Sequence, residues 1–409
     1  MSAGLRLVRV WLRRNLFRTP VDGVITVVFG ALSLFVIWRL VRFVLVTGRW
    51  DIVRVNLRLL MIGRYPEAHV LRLAVTVVVI AAWAGLIAGI IRARQLRVAR
   101  VGAYAKRLSA ARVRDVVERF WLPGLVVLLL LTLTSTPGPW ITTGLAVVAA
   151  VLGRTVGPII GRWRLGALGG AALAVALGAV PLVLFAYVVD GAGFDAWGGF
   201  LLNMFLAICS IVLCYPIGVL FALGRRSRLP LVRLVSTLYI EIIRGAPLFV
   251  LLLLANSALQ FFVPADLAPS KATRAIIVFT FFTGAYMAEI VRGGLQSVPR
   301  GQVEAAKALG LSPVRQTGLV VLPQALRNVI PAQIGQLISL FKDTTLAGAA
   351  MSLFELLNVA GTLTSQPEFS GQLLNPEALA FAGLLFWTVA YTMSRESQRL
   401  EKRLGVGTR

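Results

Sequence analysis

An all-α integral membrane protein with about ten transmembrane helices is the fold class predicted by three features of the 409-residue sequence. Hydrophobic residues make up 58% of the chain and charged residues only 14%, with a mean hydropathy of +0.82. That is too apolar for a soluble domain of this length. Apolar stretches close to the ~20 residues needed to span a bilayer recur along the whole chain. The formal net charge of +25 falls in short Arg-rich blocks beside those stretches, the positive-inside pattern. On a soluble chain such a charge would suggest nucleic acid. Its placement here points to membrane lipids with anionic headgroups, and no nucleic-acid partner is expected.

Taken in order, residues 1–18 are basic and expected in the cytoplasm. The first span is 24–46, where Arg39 and Arg42 must snorkel or pack internally. Without a small-residue cleavage site, this start reads as a retained helix rather than a signal peptide. Residues 48–71, with Trp50, Tyr65 and Pro66, are amphipathic and expected at the outer interface, where aromatic rings favour the headgroup level. The span 70–91 then returns the chain to an Arg-rich cytoplasmic segment, 92–119. Residues 122–136 and 141–160 make a helical hairpin around Pro137-Gly138-Pro139, and Arg154 within it is given a structural role. The Gly/Ala-rich span 165–189 has the composition for close helix packing, and 190–199 is an outer turn. Five more spans follow at 200–223, 235–262, 275–291, 329–350 and 378–393, leaving both termini cytoplasmic.

No catalytic residue, metal ligand or cofactor site is legible. His69 is the sole histidine, and no Walker-type phosphate loop is present. Cys209 and Cys214 share one apolar run and read as packing residues. Two short echoes, Glu241 with Arg244 and Glu289 with Arg292, stand at cytoplasmic ends of spans. Residues three apart share a helix face, so each pair is expected to neutralise itself. Lys342 and Asp343 interrupt an apolar span, where unpaired charges are costly. With Thr344 and Asn256 they are candidates for lining a translocation path, the alternative for Lys342 and Asp343 being a mutual salt bridge.

Residues 292–327 are the long polar-bearing stretch of the second half. Ser297 is placed to cap a helix ahead of Pro299, and 300–309 reads as that helix. Gly310 can end it in the left-handed conformation, and Ser312-Pro313 starts another. Ala305, Ala306 and Ala308 beside Glu304 and Lys307 give the first helix a shallow, mildly charged surface. By composition alone this is a connector between membrane helices. Glu304-Ala305-Ala306, then Gly310, then an apolar run ending in Leu322-Pro323, resembles the EAA loop of ATP-binding-cassette (ABC) importer permeases.

The resemblance extends through Trp197-Gly198-Gly199, Pro216-Ile217-Gly218, Gly224-Arg225-Arg226, Glu241-x-x-Arg244-Gly245-x-Pro247-Leu248, Tyr286-x-Ala288-Glu289-x-x-Arg292-Gly293-Gly294, Pro331 and residues 341–346. This half of the chain looks like the permease subunit of polar-amino-acid ABC importers. The first half is similar in layout to the long general L-amino-acid or glutamate/aspartate type, which Gly63-Arg64-Tyr65-Pro66 fits. Leu202, Asn203 and Ala246 depart from the family pattern and leave substrate choice open.

The resemblance implies an N-terminal extension over 1–196 with about five transmembrane helices, a five-helix MetI-like core of the type I importer class over 197–395, and a basic cytoplasmic tail over 396–409. It makes 292–327 a coupling loop that docks into a groove on a cytoplasmic ATPase, with Glu304, Ala305, Ala306, Leu309, Gly310 and Pro323 as coupling residues. It also implies ATP and Mg on two partner ATPase subunits, a second related permease, a periplasmic or lipid-anchored amino-acid-binding protein, and a bacterial cytoplasmic (inner) membrane. The rival readings are an ATPase-independent secondary transporter or channel, which predicts midplane ion sites and inverted repeats, and a membrane enzyme acting on lipids, for which no nucleophile and base are present.

Overall fold

The computed structural model describes residues 11–12, 14–98, 113–134, 136–161, 163, 167–264 and 267–405. The basic blocks expected at 1–18, 92–119, 162–164 and 396–409 lie partly outside these residues. Among the described residues every long element is helical, and the sole strand-like pairing is an isolated parallel bridge between Gly199 and Glu355. The chain divides into two compact units, Met1–Ile52 and Val53–Arg409.

The first unit is built on α1 (Pro20–Arg42), which continues through a π-helical turn at Phe43–Thr47. Thr19 and Asp22 form a reciprocal capping box, each side chain accepting from the other's backbone N–H at 3.1 Å. No residue of α1 is buried. Arg42 stacks over the Trp38 ring at 5.4 Å.

The second unit carries α2 (Asp51–Val55, entering from the first unit), α3 (Leu57–Ile62), α4 (Val70–Val98), α5 (Val113–Leu133), α6 (Gly138–Gly161), α7 (Ala167–Gly191) and α8 (Gly199–Arg225). It continues with α9 (Pro230–Gly245), α10 (Leu248–Ser257), α11 (Lys271–Ser297), α12 (Arg300–Ala308), α13 (Pro313–Arg315), α14 (Leu322–Asn328), α15 (Ile330–Asp343), α16 (Leu346–Met351), α17 (Leu356–Thr362) and α18 (Asn375–Leu404).

Among the described residues, the ten expected apolar stretches are mainly helical. Six helices of the whole described chain are long and apolar enough to cross a membrane, or seven if the bent pair α9 and α10 forms one span. Two expected spans are broken. The stretch 235–262 turns by 99° between α9 and α10, where Pro247 opens the second helix and offers no N–H to continue the first. The stretch 329–350 is interrupted after Asp343, and Ser352 then closes α16 in the left-handed region at φ 55°.

Close packing also falls elsewhere than composition suggested. In α7, Gly170 and Gly178 have nothing within 4 Å of an added Cβ. The tight pair is α4 with α6, where Gly85 and Gly89 face Gly153, Gly157 and Gly161. A spacing of four keeps each set on one helix face. A Cβ on Gly89 would stand 2.8 Å from the Arg154 carbonyl oxygen, and one on Gly157 would overlap the Leu86 carbonyl.

Tyr65, expected at the headgroup level, is instead buried at 1% exposure. Its ring lies edge-on to Trp197 at 6.3 Å, Trp197 meets Phe205 at 4.9 Å, and Phe205 stacks on Phe185 at 5.2 Å. Its hydroxyl donates to the Val188 carbonyl, and burial holds the phenol above its ordinary pKa, with the Arg72 charge opposing. This cluster runs into the buried core of Leu206, Leu252, Phe279, Leu340 and Met351. A second cluster of Ala222, Ile240, Met287, Val291, Leu295 and Ala325 sits beside residues 292–327. Gly284 against Ile217 and Gly218 against Met287 show α8 and α11 packed in parallel.

The glycine-tight α4–α6 pair gives a stability prediction. Gly157→Leu should lower the thermal unfolding midpoint of the detergent-solubilised chain by the equivalent of roughly 1–3 kcal/mol. Gly170→Leu, in open space, should leave it within error. Equal losses for both would show that the close approach contributes nothing.

Candidate functional site

Three features of the second unit bear on function: the 292–327 loop, an ionic cluster beside it, and a polar turn in the buried core. In the loop, α12 begins after Pro299, which acts as N-cap without a side-chain bond. Ser297 does not cap it. Its hydroxyl donates to the Gly294 carbonyl at 2.8 Å and accepts from Asn328 at 2.9 Å, tying the end of α11 to the end of α14. Gly310 adopts φ +75°, and a Cβ there would meet nothing within 4 Å, so only its backbone conformation calls for glycine. Ser312 precedes Pro313 in extended geometry, again without a side-chain bond.

The chain then continues through a π-helical stretch at Gln316–Val321 directly into α14. Pro323 falls in the first turn of α14, and the wider turns ahead of it fit a residue with no N–H to give. Ala306 is buried at 3% exposure, whereas Glu304, Ala305, Lys307 and Ala308 are exposed. Leu309 is 80% and Val314 82% exposed. The loop therefore presents two uncovered apolar side chains, with Glu304, Lys307 and Arg315 nearby in sequence.

The expected local ion pairs are regrouped. Glu289 and Arg292 do pair, through Nη2 to Oε2 at 2.7 Å. Glu241, however, pairs with Arg225 at 2.8 Å rather than with Arg244, and Arg244 reaches Glu289 at 3.7 Å. Arg225 also binds Glu289 at 2.5 Å. Glu289 is thus a hub for three arginines from α8, α9 and α11. Spacing along one helix could not reveal this, because Arg225 comes from a separate basic block and arrives only by folding.

Lys342 is exposed and Asp343 half-buried, and no ion pair joins them. The salt-bridge alternative is therefore not what the structure contains: the two are consecutive residues of α15, and neighbours i and i+1 on a helix do not face each other. Thr344 is fully buried and donates to the Phe341 carbonyl at 2.7 Å. Asn256 stands at the end of α10, its carbonyl accepting from Arg274 at 3.2 Å. Among the described residues no hydrogen bond links it to the 342–344 turn.

Two residues that carry this turn had no assigned role. Asn203, fully buried, donates from Nδ2 to Thr344 Oγ1 at 3.1 Å and to Glu355 Oε2 at 3.0 Å, and its Oδ1 accepts from the Leu356 N–H at 2.9 Å. Glu355, 1% exposed, also accepts from the N–H groups of Leu357 at 2.9 Å and Asn358 at 2.7 Å, capping α17. A buried carboxylate is tolerated because such donors replace water. The available signals were an acid just ahead of an apolar helical run and the departure from the family pattern at Asn203.

Glu289→Ala would leave Arg225, Arg244 and Arg292 without their shared acid. With arginine side chains 24–35% exposed, solvent screens part of the effect, and a loss of roughly 1–2 kcal/mol is expected in thermal unfolding. Glu241→Ala, which removes a 55% exposed partner, should cost clearly less. Equal losses would contradict the hub arrangement.

Residues 215–405 match the family described as binding-protein-dependent transport system inner membrane component. The chain is 33% identical over 436 aligned positions to the glutamate/glutamine/aspartate/asparagine transport system permease protein BztC of Rhodobacter capsulatus, covering 96% of this chain and 93% of that one. It is 42% identical over 211 residues to the inner membrane amino-acid ABC transporter permease protein YhdY of Escherichia coli K12, spanning 52% of this chain and 57% of that relative's length. It is 34% identical over 207 residues to the probable glutamine ABC transporter permease protein GlnP of Bacillus subtilis, spanning 51% of this chain and 92% of that one. With these matches and its several apolar spanning helices, the chain is a multi-pass membrane protein that belongs to the amino-acid ABC transporter permeases, the family of binding-protein-dependent transport system inner membrane components.

Proposed function

We propose that this chain is the translocation subunit of an ATP-driven importer of polar amino acids, moved by ATP hydrolysis on separate subunits. The observation that carries the coupling role is the surface of α12: a short exposed helix closed by left-handed Gly310 and followed by the uncovered side chains of Leu309 and Val314. An apolar centre with charges around it has the composition of a protein contact. One of two partner ATPase subunits, which hold the ATP and Mg, meets this surface. A second, related permease completes the path, and a periplasmic or lipid-anchored binding protein delivers the amino acid.

In this reading 1–196 is an N-terminal extension, 197–395 the transport core and 396–409 a cytoplasmic tail, with both termini inside a bacterial inner membrane. A push on α12 enters the bundle through Pro299 and α11 on one side and through α13 and α14 on the other. The Ser297–Asn328 bond ties those two routes together, and the Glu289 hub ties α11 to α8 and α9. The bundle end then moves as a unit. Lys342, Asp343, Thr344 and Asn256 are the residues assigned to the path.

Gly310→Val should abolish binding-protein-stimulated uptake in proteoliposomes while the chain still inserts. The strain is of backbone origin, about 1–2 kcal/mol for a side chain in the left-handed region. Gly310→Asn, which tolerates positive φ, should retain most activity. Wild-type uptake by the Val variant would sink the assignment of this loop. The purified chain alone should hydrolyse no ATP, and it should copurify with an ABC ATPase. Uptake that persists after the ATPase is removed would favour the ATPase-independent alternative.

A further inference from the structure

The segment formed by α3 and Gly63-Arg64-Tyr65-Pro66 precedes the transport core in sequence yet touches the backbone that holds the polar turn. Gly63 has φ 64° and ψ −136°, a combination open in practice to glycine alone. A Cβ there would stand 2.7 Å from the Gly198 nitrogen, and one on Gly198 would stand 2.7 Å from the Phe354 carbonyl oxygen. That same carbonyl accepts from the Gly199 N–H at 2.8 Å. The Arg64 guanidinium lies over the Phe354 ring at 4.7 Å. Beyond α17, Gln366 donates to the side chain of Asn56, the N-cap residue of α3, at 2.9 Å, fixing the start of the same segment.

From Phe354 the contacts continue without a gap. Glu355 is the next residue, Asn203 binds it and also binds Thr344, and Thr344 follows Asp343 directly. Each link is a peptide bond or a hydrogen bond between the buried side chains of Glu355, Asn203 and Thr344. Displacing Phe354 therefore displaces the turn.

We propose that residues 57–66 are a positioning strap for the turn at Asp343–Thr344, acting through Phe354, Glu355 and Asn203. The significance of that turn for transport rests on the reading given under Proposed function; the strap itself does not. Gly63 sets how closely the strap seats, Arg64 holds the Phe354 ring, and Asn203 delivers the position to Thr344.

The test uses the full-length chain purified from membranes in detergent. Cys209→Ala and Cys214→Ala remove the native thiols, and Thr345→Cys places a half-buried thiol beside the turn. The rate of alkylation by a small water-soluble maleimide is then measured. Gly63→Ala should raise it about fivefold, a size in keeping with coupling through a contiguous packed network. Arg64→Ala should raise it about twofold, and Arg64→Lys, which keeps a cation over the ring, should restore the starting rate.

Gly89→Ala is the control, since its crowding lies in the α4–α6 pair away from the turn, and it should leave the rate unchanged. The proposal is overturned if Gly63→Ala and Arg64→Ala leave the rate unchanged, or if Gly89→Ala raises it as much as they do. Should Gly63→Ala fail to fold, Arg64→Ala and Gln366→Ala, both at the strap's contacts, decide the question in the same assay. Alkylation requires no transport, so failure here is separate from failure of the transport reading.

Discussion

The buried carboxylate of Glu355 is the constraint around which the core of this permease is arranged. An acid at 1% exposure is stable only when its lone pairs are satisfied from within. Asn203 and the first amides of α17 supply those bonds, which fixes three elements at once: the start of α8, the start of α17 and the turn after α15. Gly348 completes the enclosure, since a Cβ there would stand 2.5 Å from the carboxylate. Removing any one partner would leave a polar group stranded, so the arrangement behaves as a unit.

The opposite end of the bundle solves a related problem with exposed chemistry. Glu289 gathers arginines from three helices at side-chain exposures between 24% and 35%. Solvent reaches this cluster, and it contributes by orienting helix ends more than by raw strength. Beside it, the bond between Ser297 and Asn328 closes the base of the 292–327 loop. The exposed α12 surface is thereby mounted on helices whose ends are mutually tied.

The N-terminal part of the second unit is held by a different force. In a bilayer, apolar burial between helices gains little over lipid, and close backbone approach takes its place. The α4–α6 glycine faces meet that need, as does the approach of Gly63 to Gly198. Aromatic packing from Tyr65 through Trp197 to Phe205 then joins this part to the core. Residues 63–65 are thereby structurally continuous with the core built on α8 and α17.

By itself the sequence determined the solvent: an excess of apolar residues with arginine at the ends of the runs admits a helical membrane protein and little else. It also determined the α12 helix and the left-handed Gly310, because a helix-ending glycine is written in local residue order, although the cap expected of Ser297 did not form. Its motif order identified the family. Which helices touch was decided only by the tertiary structure. Glycine content pointed to α7, yet the facing glycines are in α4 and α6, since composition records small residues and not whether a partner lies opposite them. Likewise Glu241 meets Arg225 from another helix rather than Arg244 one turn away, and Asn203 finds Glu355 across 152 residues. Local spacing governs what a helix face contains; the fold governs what that face meets.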